Sequence, residues 1–338
     1  MPTPQISIII PVHNVEPYID RCVMSVRKQT LKDIEIILVE NLSTDNSLEK
    51  CHRHAAADSR IKVLTIDVAD LSSARNAGVR AAQAPLIGFV DSDDWIEDDM
   101  YETLLHAMQS NKADMAYCNY MLDYEDGTVK CPFKDTGSLS VLDARQAQRD
   151  IIMERATSAS WVRLYRKELF DKFQFPEGRY FEDHCSIYRW TADCRRLVHV
   201  DRPLYHYFMR TDSICSSLLS NPRKVIDFFY AEFERLEYIE QNNLFTDPVE
   251  LYEARSYIIK QSITHLKTYT SAMPKASLRD PELKRMRKSL LNCLRYSREE
   301  IKPRTYNKLR RIAYIWPIYY LLHRKPNAKS NRHVAQKE

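Results

Sequence analysis

The first hundred residues alternate short apolar runs with amphipathic stretches. The apolar runs are rich in β-branched residues and predict four strands, at residues 6–11, 34–40, 61–66 and 86–90. The stretches between them have helical spacing and predict helices at residues 18–29, 44–54 and 72–82. This alternation favours an α/β fold with a mostly parallel sheet that is covered on both faces.

The pattern changes further along the chain. Short strand signals at residues 115–120, 197–199 and 204–207 mix with a helical pattern at residues 142–155, and another helix is suggested at residues 95–105. After Asn221 the periodicity is helical and predicts helices at residues 225–241, 248–269, 281–298 and 306–322. We therefore expect three segments, residues 1–110, 111–216 and 217–338.

Composition excludes several classes of function. Only 5 of the 338 residues are glycine, and neither GxGxxG nor GxxxxGK[ST] occurs, which argues against a Rossmann dinucleotide site and a P-loop. A hydrophobic share of 44% and a charged share of 28% are typical of a globular protein. The eight cysteines form no CxxC pair, so we expect buried free thiols rather than a zinc site.

The net charge of +4 is unevenly distributed. Residues from Ile301 onward carry ten basic side chains and one acidic, a net +9, which leaves −5 for the rest. Because aromatic and aliphatic residues lie between the basic clusters, we expect residues 304–325 to lie on an anionic membrane surface. The alternatives are a helix packed on its own domain and, without a recognisable binding module, nucleic-acid binding.

The N-terminus and the apolar runs bear on localisation. The chain shows no signal-peptide pattern, and the stretch from Ile312 to Leu322 is about half of the roughly 20 residues that a spanning helix needs. We therefore expect a cytoplasmic protein that is peripheral at the inner face of the cytoplasmic membrane.

Carboxylates gather where the predicted strands end, which is the edge at which α/β sheets bind ligands. Asp91 and Asp93 follow the fourth strand, and strand alternation would send both to one side. Carboxylate oxygens so placed suit Mg²⁺ or Mn²⁺, whose other positions are filled by water and substrate phosphate. The alternative is that Asp93 or Asp94 caps the helix suggested at residues 95–105.

Four motifs in this order resemble the donor half of family-2 glycosyltransferases with the GT-A fold. They are SIIIPVHN, VENLSTDNS, LSSARNAGV and LIGFVDSDDWI, all within about residues 5–110. The resemblance continues more loosely through WVRLYRKELF, RYFEDH and LYHYFMRTDSI to about Ser216. It implies a GT-A fold with a C-terminal helical extension, a donor half at residues 1–110 and an acceptor and catalytic half at residues 111–216.

The resemblance also implies which residues hold the nucleotide base of the donor. They follow the first two strands and are Pro11, His13, Asn14, Glu16, Glu40 and Asn41. Three positions depart from the usual pattern, since His13 replaces a common Tyr, Glu40-Asn41 replaces Asp-Asp, and Leu42 replaces a common Gly. An Asn oxygen can still accept from uracil N3–H, so a UDP-sugar is expected. For residues 43–45 we expect a helix N-cap.

Further donor contacts are implied beside the other motifs. Arg75 would engage the diphosphate through its planar fork, unless it is an exposed helix arginine. Asp91 and Ser92 would face the ribose or donor sugar, and Asp93 together with Asp91 the metal. His206 and Arg210 could reach the diphosphate from the lid side, with a core or surface role as the alternative.

Catalysis by an inverting enzyme needs a base for the acceptor hydroxyl, and Asp183 matches the family's ED element. Glu182 would orient the site, and the alternative for Asp183 is a helix N-cap. Trp161 and Tyr180 either stack on the acceptor sugar or fill the core. The expected function is transfer from a UDP-sugar to a glycan or lipid-linked acceptor of a cell-surface polysaccharide. A sugar-phosphate nucleotidyltransferase and an inactive glycan- or membrane-binding module are the alternatives.

Overall fold

The structure, a computed structural model, describes residues 3–133, 135–210, 221–272 and 279–316. The chain divides into two compact units, Met1–Thr211 and Asp212–Glu338. Within the described residues the first unit mixes strands and helices, and the second consists of helices and turns. The predicted site residues all belong to the first unit.

A ten-stranded sheet organises the first unit along its described length. Its strands are β1 (Ile6–Val12), β2 (Ile34–Asn41), β3 (Ile61–Ile66), β4 (Leu86–Phe89), β5 (Trp95–Ile96), β6 (Met115–Tyr124), β7 (Val129–Lys130), β8 (Leu139–Asp143), β9 (Arg163–Arg166) and β10 (Arg196–Met209). The order is β3-β2-β1-β4-β9-β6-β10-β5, with β7 beside β6 and β8 beside β10. Strands β1 to β4 are parallel, as predicted, whereas β9 is antiparallel to both of its neighbours.

Six α-helices accompany this sheet in the described part of the unit. They are α1 (Ile19–Arg27), α2 (Ser47–Ala57), α3 (Leu71–Ala81), α4 (Met100–Asn111), α5 (Ala144–Ile152) and α6 (Glu182–Asp193). Every residue of β1 is buried, which explains why all of them except Ser7 are apolar. Because β1, β2 and β4 are parallel, their carboxyl ends share one edge, and the predicted donor motifs follow those ends.

The structure differs from the predicted elements at several places. Trp95 and Ile96 pair with β10, so the helix predicted to begin at Trp95 begins at Met100. The signals at residues 197–199 and 204–207 belong to one strand, β10, whose register shifts around Pro203, since proline cannot donate a ladder hydrogen bond. Strand β8 occupies the start of the helix predicted at residues 142–155. Helix α2 begins three residues later than predicted.

The helical unit contains α7 (Pro222–Gln241), α8 (Pro248–Ala272), α9 (Pro281–Asn292) and α10 (Pro303–Tyr314) among its described residues. Each begins with proline, whose missing N–H costs nothing in the first turn. The side chains of Asn221 and Asp280 cap α7 and α9. Helix α9 ends earlier than the predicted residue 298 because a 3₁₀ turn, Cys293–Arg295, follows it.

Helix α10 packs against α8 and α9 through one side. Leu309, Ile312 and Trp316 are buried, whereas Arg304 and Arg311 are exposed. The part of the predicted helix beyond Trp316, and with it residues 317–325 of the expected membrane segment, lies outside the described residues. In the described ranges, every helix is too short or too polar to cross a bilayer.

Candidate active site

Asp91 to Asp94 form a tight turn after β4, which we call the DSDD turn. The turn is closed by a hydrogen bond from the Asp94 N–H to the Asp91 carbonyl (3.1 Å). The fully buried Asp94 carboxylate accepts from the Tyr205 hydroxyl (2.7 Å) and the Phe208 N–H (2.7 Å). Burial, together with the charges of Asp93 and Asp91, raises the pKa of Asp94 well above its usual range. Asp94 thus fastens the turn to β10.

This geometry corrects two expectations about the turn. Strand β4 ends at Phe89, so strand alternation does not place Asp91 and Asp93, and each carboxylate instead meets a different arginine. Neither Asp93 nor Asp94 caps a helix, because the residue that precedes α4 is Asp99. Ser92 is buried within the turn.

The Asp93 carboxylate lies 3.1 Å from the Arg210 Nε and is about one-fifth exposed. Burial raises the pKa of Asp93 to about 6, against the opposing charge of Arg210 and with a contribution from Asp91. The Asp91 carboxylate accepts from Arg75 (2.7 Å). The turn therefore presents two neighbouring carboxylates, each with a cationic partner.

Arg75 lies on α3 and is 1% exposed. Its guanidinium donates to Asp91 from one nitrogen and to Glu182 of α6 from another. Burial acts to lower the pKa of Arg75, but the nearby carboxylates outweigh burial and raise it. The alternative of an exposed helix arginine is wrong. Arg75 instead joins the DSDD turn, 16 residues further along the chain, to Glu182 of the ED element, 107 residues further along.

Glu182 and Asp183 are the first two residues of α6, where the positive end of the helix dipole favours carboxylates. The N-cap position belongs to Phe181, so the cap alternative for Asp183 does not hold. Asp183 accepts from the His184 N–H (2.7 Å) and stays partly exposed, whereas Glu182 is 6% exposed. Burial raises the pKa of both carboxyls, and Arg75 opposes it.

The loop after β1 is tied to the loop after β2. Pro11 lies within β1, and the His13 Nδ1 hydrogen-bonds the Asn41 carbonyl (2.7 Å). The Asn14 side chain accepts from the Thr44 N–H (2.8 Å), and Glu16 accepts from the Asn46 side chain (2.8 Å). These contacts bring the predicted base-binding residues to one edge of the sheet.

The loop after β2 contains the departures from the family pattern. Glu40 is buried and accepts from the Ser43 N–H, and Asn41 donates to the Asp70 carbonyl (3.3 Å). The Asn41 Oδ1 is buried and has no hydrogen-bond partner among the residues that the structure describes. Leu42 has a φ of 61°, a left-handed conformation that favours glycine, and its side chain is 48% exposed.

The expected N-cap at residues 43–45 is only partly correct: a side chain from this range accepts a hydrogen bond from the first turn of α2, but none of the three residues occupies the N-cap position. The residue before α2 is Asn46, which makes no side-chain cap. Asp45 instead accepts from the N–H of Ser47, the first helical residue (3.0 Å), and from the Glu16 N–H (3.0 Å). Asp45 thus joins the start of α2 to the loop after β1.

On the β10 side, His206 stacks on Trp95 with ring centroids 4.8 Å apart. Its ring nitrogens lie 3.0 Å from carboxylate oxygens of Asp123 and Glu97. Trp161 is 8% exposed and stacks on Tyr205 at 4.2 Å, so the core alternative applies to Trp161. Tyr180 is half-buried.

The donor set of the DSDD turn fits a divalent cation. Asp91 and Asp93 offer hard oxygen ligands, and the negative charge of Asp91 already contributes to the raised pKa of Asp93. Mg²⁺ and Mn²⁺ commonly take one or two carboxylates and complete their shell with water and phosphate. These two side chains are therefore the ones that would hold the metal.

Residues 7–192 match the sequence model of Glycosyl transferase family 2, which is more than half of the chain. The chain is a family-2 glycosyltransferase. This family-2 glycosyltransferase is 32% identical to EpsH of Bacillus subtilis (strain 168) over 258 residues, 72% of this chain and 71% of EpsH. It is also 32% identical to the glycosyltransferase GlyG of Streptococcus pneumoniae serotype 4 over 237 residues, 66% of this chain and 78% of GlyG. The predicted transferase class is confirmed.

The fold of this family-2 glycosyltransferase is similar to that of TarS residues 1–349 from S. aureus, solved in complex with UDP-GlcNAc. The TM-score is 0.63 at 19% identity, and the alignment covers 92% of each chain. The predicted GT-A fold with C-terminal helices is confirmed.

Sequence reasoning missed Asp94, Tyr205 and Arg21 as parts of the site. Arg21 donates to the Asp93 carbonyl (2.9 Å), and Tyr205 also accepts from the Asp91 N–H through its hydroxyl (3.1 Å). The third carboxylate of the DSDD sequence was the available signal for Asp94. For Tyr205 and Arg21 the sequence offered none, because their partners in the DSDD turn are 72 or more residues away in sequence.

Proposed function

We propose that this protein is an inverting glycosyltransferase that uses a nucleotide sugar, with UDP as the nucleotide. The observation that supports this function best is that Arg75 donates hydrogen bonds to both Asp91 and Glu182. These bonds hold the DSDD turn next to the ED element. Donor-binding carboxylates and a candidate base must lie this close for a direct displacement. In this proposal residues 1–110 bind the donor, residues 111–216 hold the acceptor and the base, and residues 217–338 form the extension.

The preference for uracil is supported by Asn41. Its buried side-chain oxygen lacks a hydrogen-bond partner within the described part of the chain, and a uracil N3–H would supply one. Pro11, His13, Asn14, Glu16 and Glu40 would surround the base from the two joined loops. TarS, which shares the fold, was solved with UDP-GlcNAc.

The reaction assigns separate tasks to the carboxylates. Asp183, partly exposed at the start of α6, takes the proton of the acceptor hydroxyl as that oxygen attacks the anomeric carbon, and an α-linked donor would give a β-linked product. General-base assistance of this kind is worth about 10²- to 10⁴-fold. Glu182 and Arg75 hold α6 against the turn, and Asp91 with Ser92 faces the ribose or sugar. A Mn²⁺ or Mg²⁺ ion held by Asp91 and Asp93 would offset charge on the departing UDP.

We extend the proposal to the acceptor, a glycan or lipid-linked glycan of a cell-surface polysaccharide. A lipid-linked acceptor places the enzyme at the inner face of the cytoplasmic membrane. The exposed basic side of α10 supports this location through attraction to anionic headgroups.

The test combines donor binding and turnover. A thermal-shift panel of nucleotide sugars with Mn²⁺ should show stabilisation by UDP-sugars, which at about 100 times Kd amounts to about 2.7 kcal/mol. Asp183→Asn should keep this stabilisation and lose transfer by about 10²-fold or more. The matched control is Asp193→Asn at the other end of α6, where Asp193 pairs with Lys172 on the surface.

Two outcomes would contradict the proposal. If UDP-sugars leave the melting temperature unchanged while another nucleotide sugar raises it, the base assignment is wrong. If Asp183→Asn turns over as fast as Asp193→Asn, Asp183 is not the base.

A further inference from the structure

The last residues of β10 are fixed against the DSDD turn from two sides. The Phe208 N–H donates to the Asp94 carboxylate (2.7 Å). The Arg21 guanidinium lies 3.6 Å from the centroid of the Trp95 ring and 4.4 Å from that of Phe208. Arg21 also donates to the carbonyl of Asp93 (2.9 Å). The backbone of β10 is thus well positioned where the strand ends.

Arg210 follows this fixed point by two residues and is directed at the turn. Its Nε lies 3.1 Å from the Asp93 Oδ2, and its guanidinium lies 5.0 Å from the centroid of the Tyr18 ring. Its side chain is 14% exposed. Asp93 is the carboxylate that would hold the metal, so the guanidinium lies next to the position of a second cation.

A guanidinium and a divalent ion repel each other, and both gain from the same carboxylate. A metal that binds Asp93 therefore acts against the ion pair with Arg210. A diphosphate removes this competition, because its oxygens can accept hydrogen bonds from the Arg210 guanidinium in place of the Asp93 carboxylate. Arg210 can leave Asp93 at little cost only when such an acceptor is present.

We propose that Arg210 is an internal counter-ion of Asp93 that makes metal binding depend on the nucleoside diphosphate. Without the diphosphate, Arg210 holds Asp93 and weakens metal binding. With it, Arg210 moves to a phosphate oxygen, and Asp93 is released to the metal. By linkage, the metal strengthens diphosphate binding by the same factor. The inference rests on the proposed function and adds to it the coupling between metal binding and diphosphate binding.

The experiment measures Mn²⁺ binding to the full chain by calorimetry and by electron paramagnetic resonance of free Mn²⁺, with and without UDP. In the unsubstituted protein, UDP should strengthen Mn²⁺ binding strongly. Arg210→Gln should bind Mn²⁺ alone about fivefold or more tightly than the unsubstituted protein. In Arg210→Gln, the increase in Mn²⁺ affinity caused by UDP should be smaller by a similar factor. The increase that remains comes from direct contact between the phosphate and the metal.

The matched control is Arg202→Gln. Arg202 lies on β10, the strand that Arg210 follows, and it pairs with Asp99 (2.8 Å) rather than with Asp91 or Asp93. This variant should bind Mn²⁺ like the unsubstituted protein in both conditions, and a melting curve of each variant verifies its fold.

The outcomes separate the inference from the proposed function. If Arg210→Gln binds Mn²⁺ alone no more tightly than Arg202→Gln, while UDP still promotes Mn²⁺ binding, the counter-ion role is overturned and the metal site stands. If the unsubstituted protein binds no Mn²⁺ even with UDP, the proposed metal site is overturned and the inference with it.

Discussion

At the scale of single residues, Arg75 carries a charge that is almost completely buried in the candidate site. It is a buried charge whose cost is offset mainly by its ion pairs with Asp91 and Glu182. Removal of one member of such a group leaves the other charges buried and uncompensated. Stability at this position is therefore tied to the same contacts that organise the site.

We expect Arg75→Met to lower the free energy of unfolding by about 3–5 kcal/mol, the usual cost of breaking a buried ion pair. Urea denaturation measures this. The matched control is Arg80→Met on the exposed side of the same helix, which should stay within about 0.5 kcal/mol. Equal stability of the two variants would show that Asp91 and Glu182 do not need the arginine.

Motif resemblance predicted which carboxylates matter but not how they are held. Asp91, Asp93 and Asp183 were predicted because each belongs to a short local motif. The role of Asp94 depends on Tyr205, a residue 111 positions away. A single sequence contains no signal for such a partner, since the pair is joined only by the folded sheet.

At the scale of elements, β4 and α4 approach closely at Gly88. An added Cβ there would lie 2.4 to 2.6 Å from atoms of the Tyr101 ring. That ring is fully buried, and its hydroxyl donates to the Phe89 carbonyl (3.3 Å), so it has little room to move. The position of the DSDD turn, three residues further on, depends on this contact.

We expect Gly88→Ala to destabilise the protein by about 1–3 kcal/mol through overpacking and to weaken binding of the nucleotide sugar. The comparison is Gly127→Ala, where an added Cβ meets open space but φ is +82°. That change should cost about 1–2 kcal/mol from backbone strain alone and leave donor binding unchanged. Thermal unfolding and donor titration of both variants check this, and unaltered donor binding by Gly88→Ala would contradict the expected shift of the turn.

The elements that the sequence predicted are those with a local signal. Strands β1 and β2 are entirely buried and consist mainly of apolar residues, and the helices have clear periodicity. Strand β8 is mostly exposed, and β5 and β7 have two residues each, so neither hydrophobicity nor length distinguishes them. Their existence depends on pairing with β10 and β6.

At the scale of the whole molecule, the charge separates into a body of −5 and a terminal segment of +9. The structure shows that α10 uses its apolar side for its own unit. An interfacial helix that inserts its apolar side into lipid is therefore not available over residues 303–316. The exposed side of α10 is basic, with Arg304 and Arg311 on the surface, and it includes Tyr314, which is 74% exposed. Any attachment through α10 should be mainly electrostatic.

We therefore expect Arg304→Glu combined with Arg311→Glu, in the full chain, to weaken binding to phosphatidylserine-containing vesicles by about tenfold or more. Each basic residue near an anionic surface contributes about 1 kcal/mol, and charge reversal adds repulsion. The folded state should be unaffected because both side chains are exposed. Vesicle sedimentation at several salt concentrations measures the effect, and binding of the unsubstituted protein should weaken as salt rises.

The control is Arg53→Glu combined with Arg80→Glu, two exposed positions of the α/β unit that change the net charge equally. Because electrostatic attraction falls off within about 10 Å at 0.1 M salt, charges that are not part of the contact surface should contribute little. The control should therefore bind vesicles nearly as well as the unsubstituted protein. If both pairs weaken binding equally, net charge rather than the outer side of α10 governs the interaction. If neither pair weakens it, α10 is not the membrane contact.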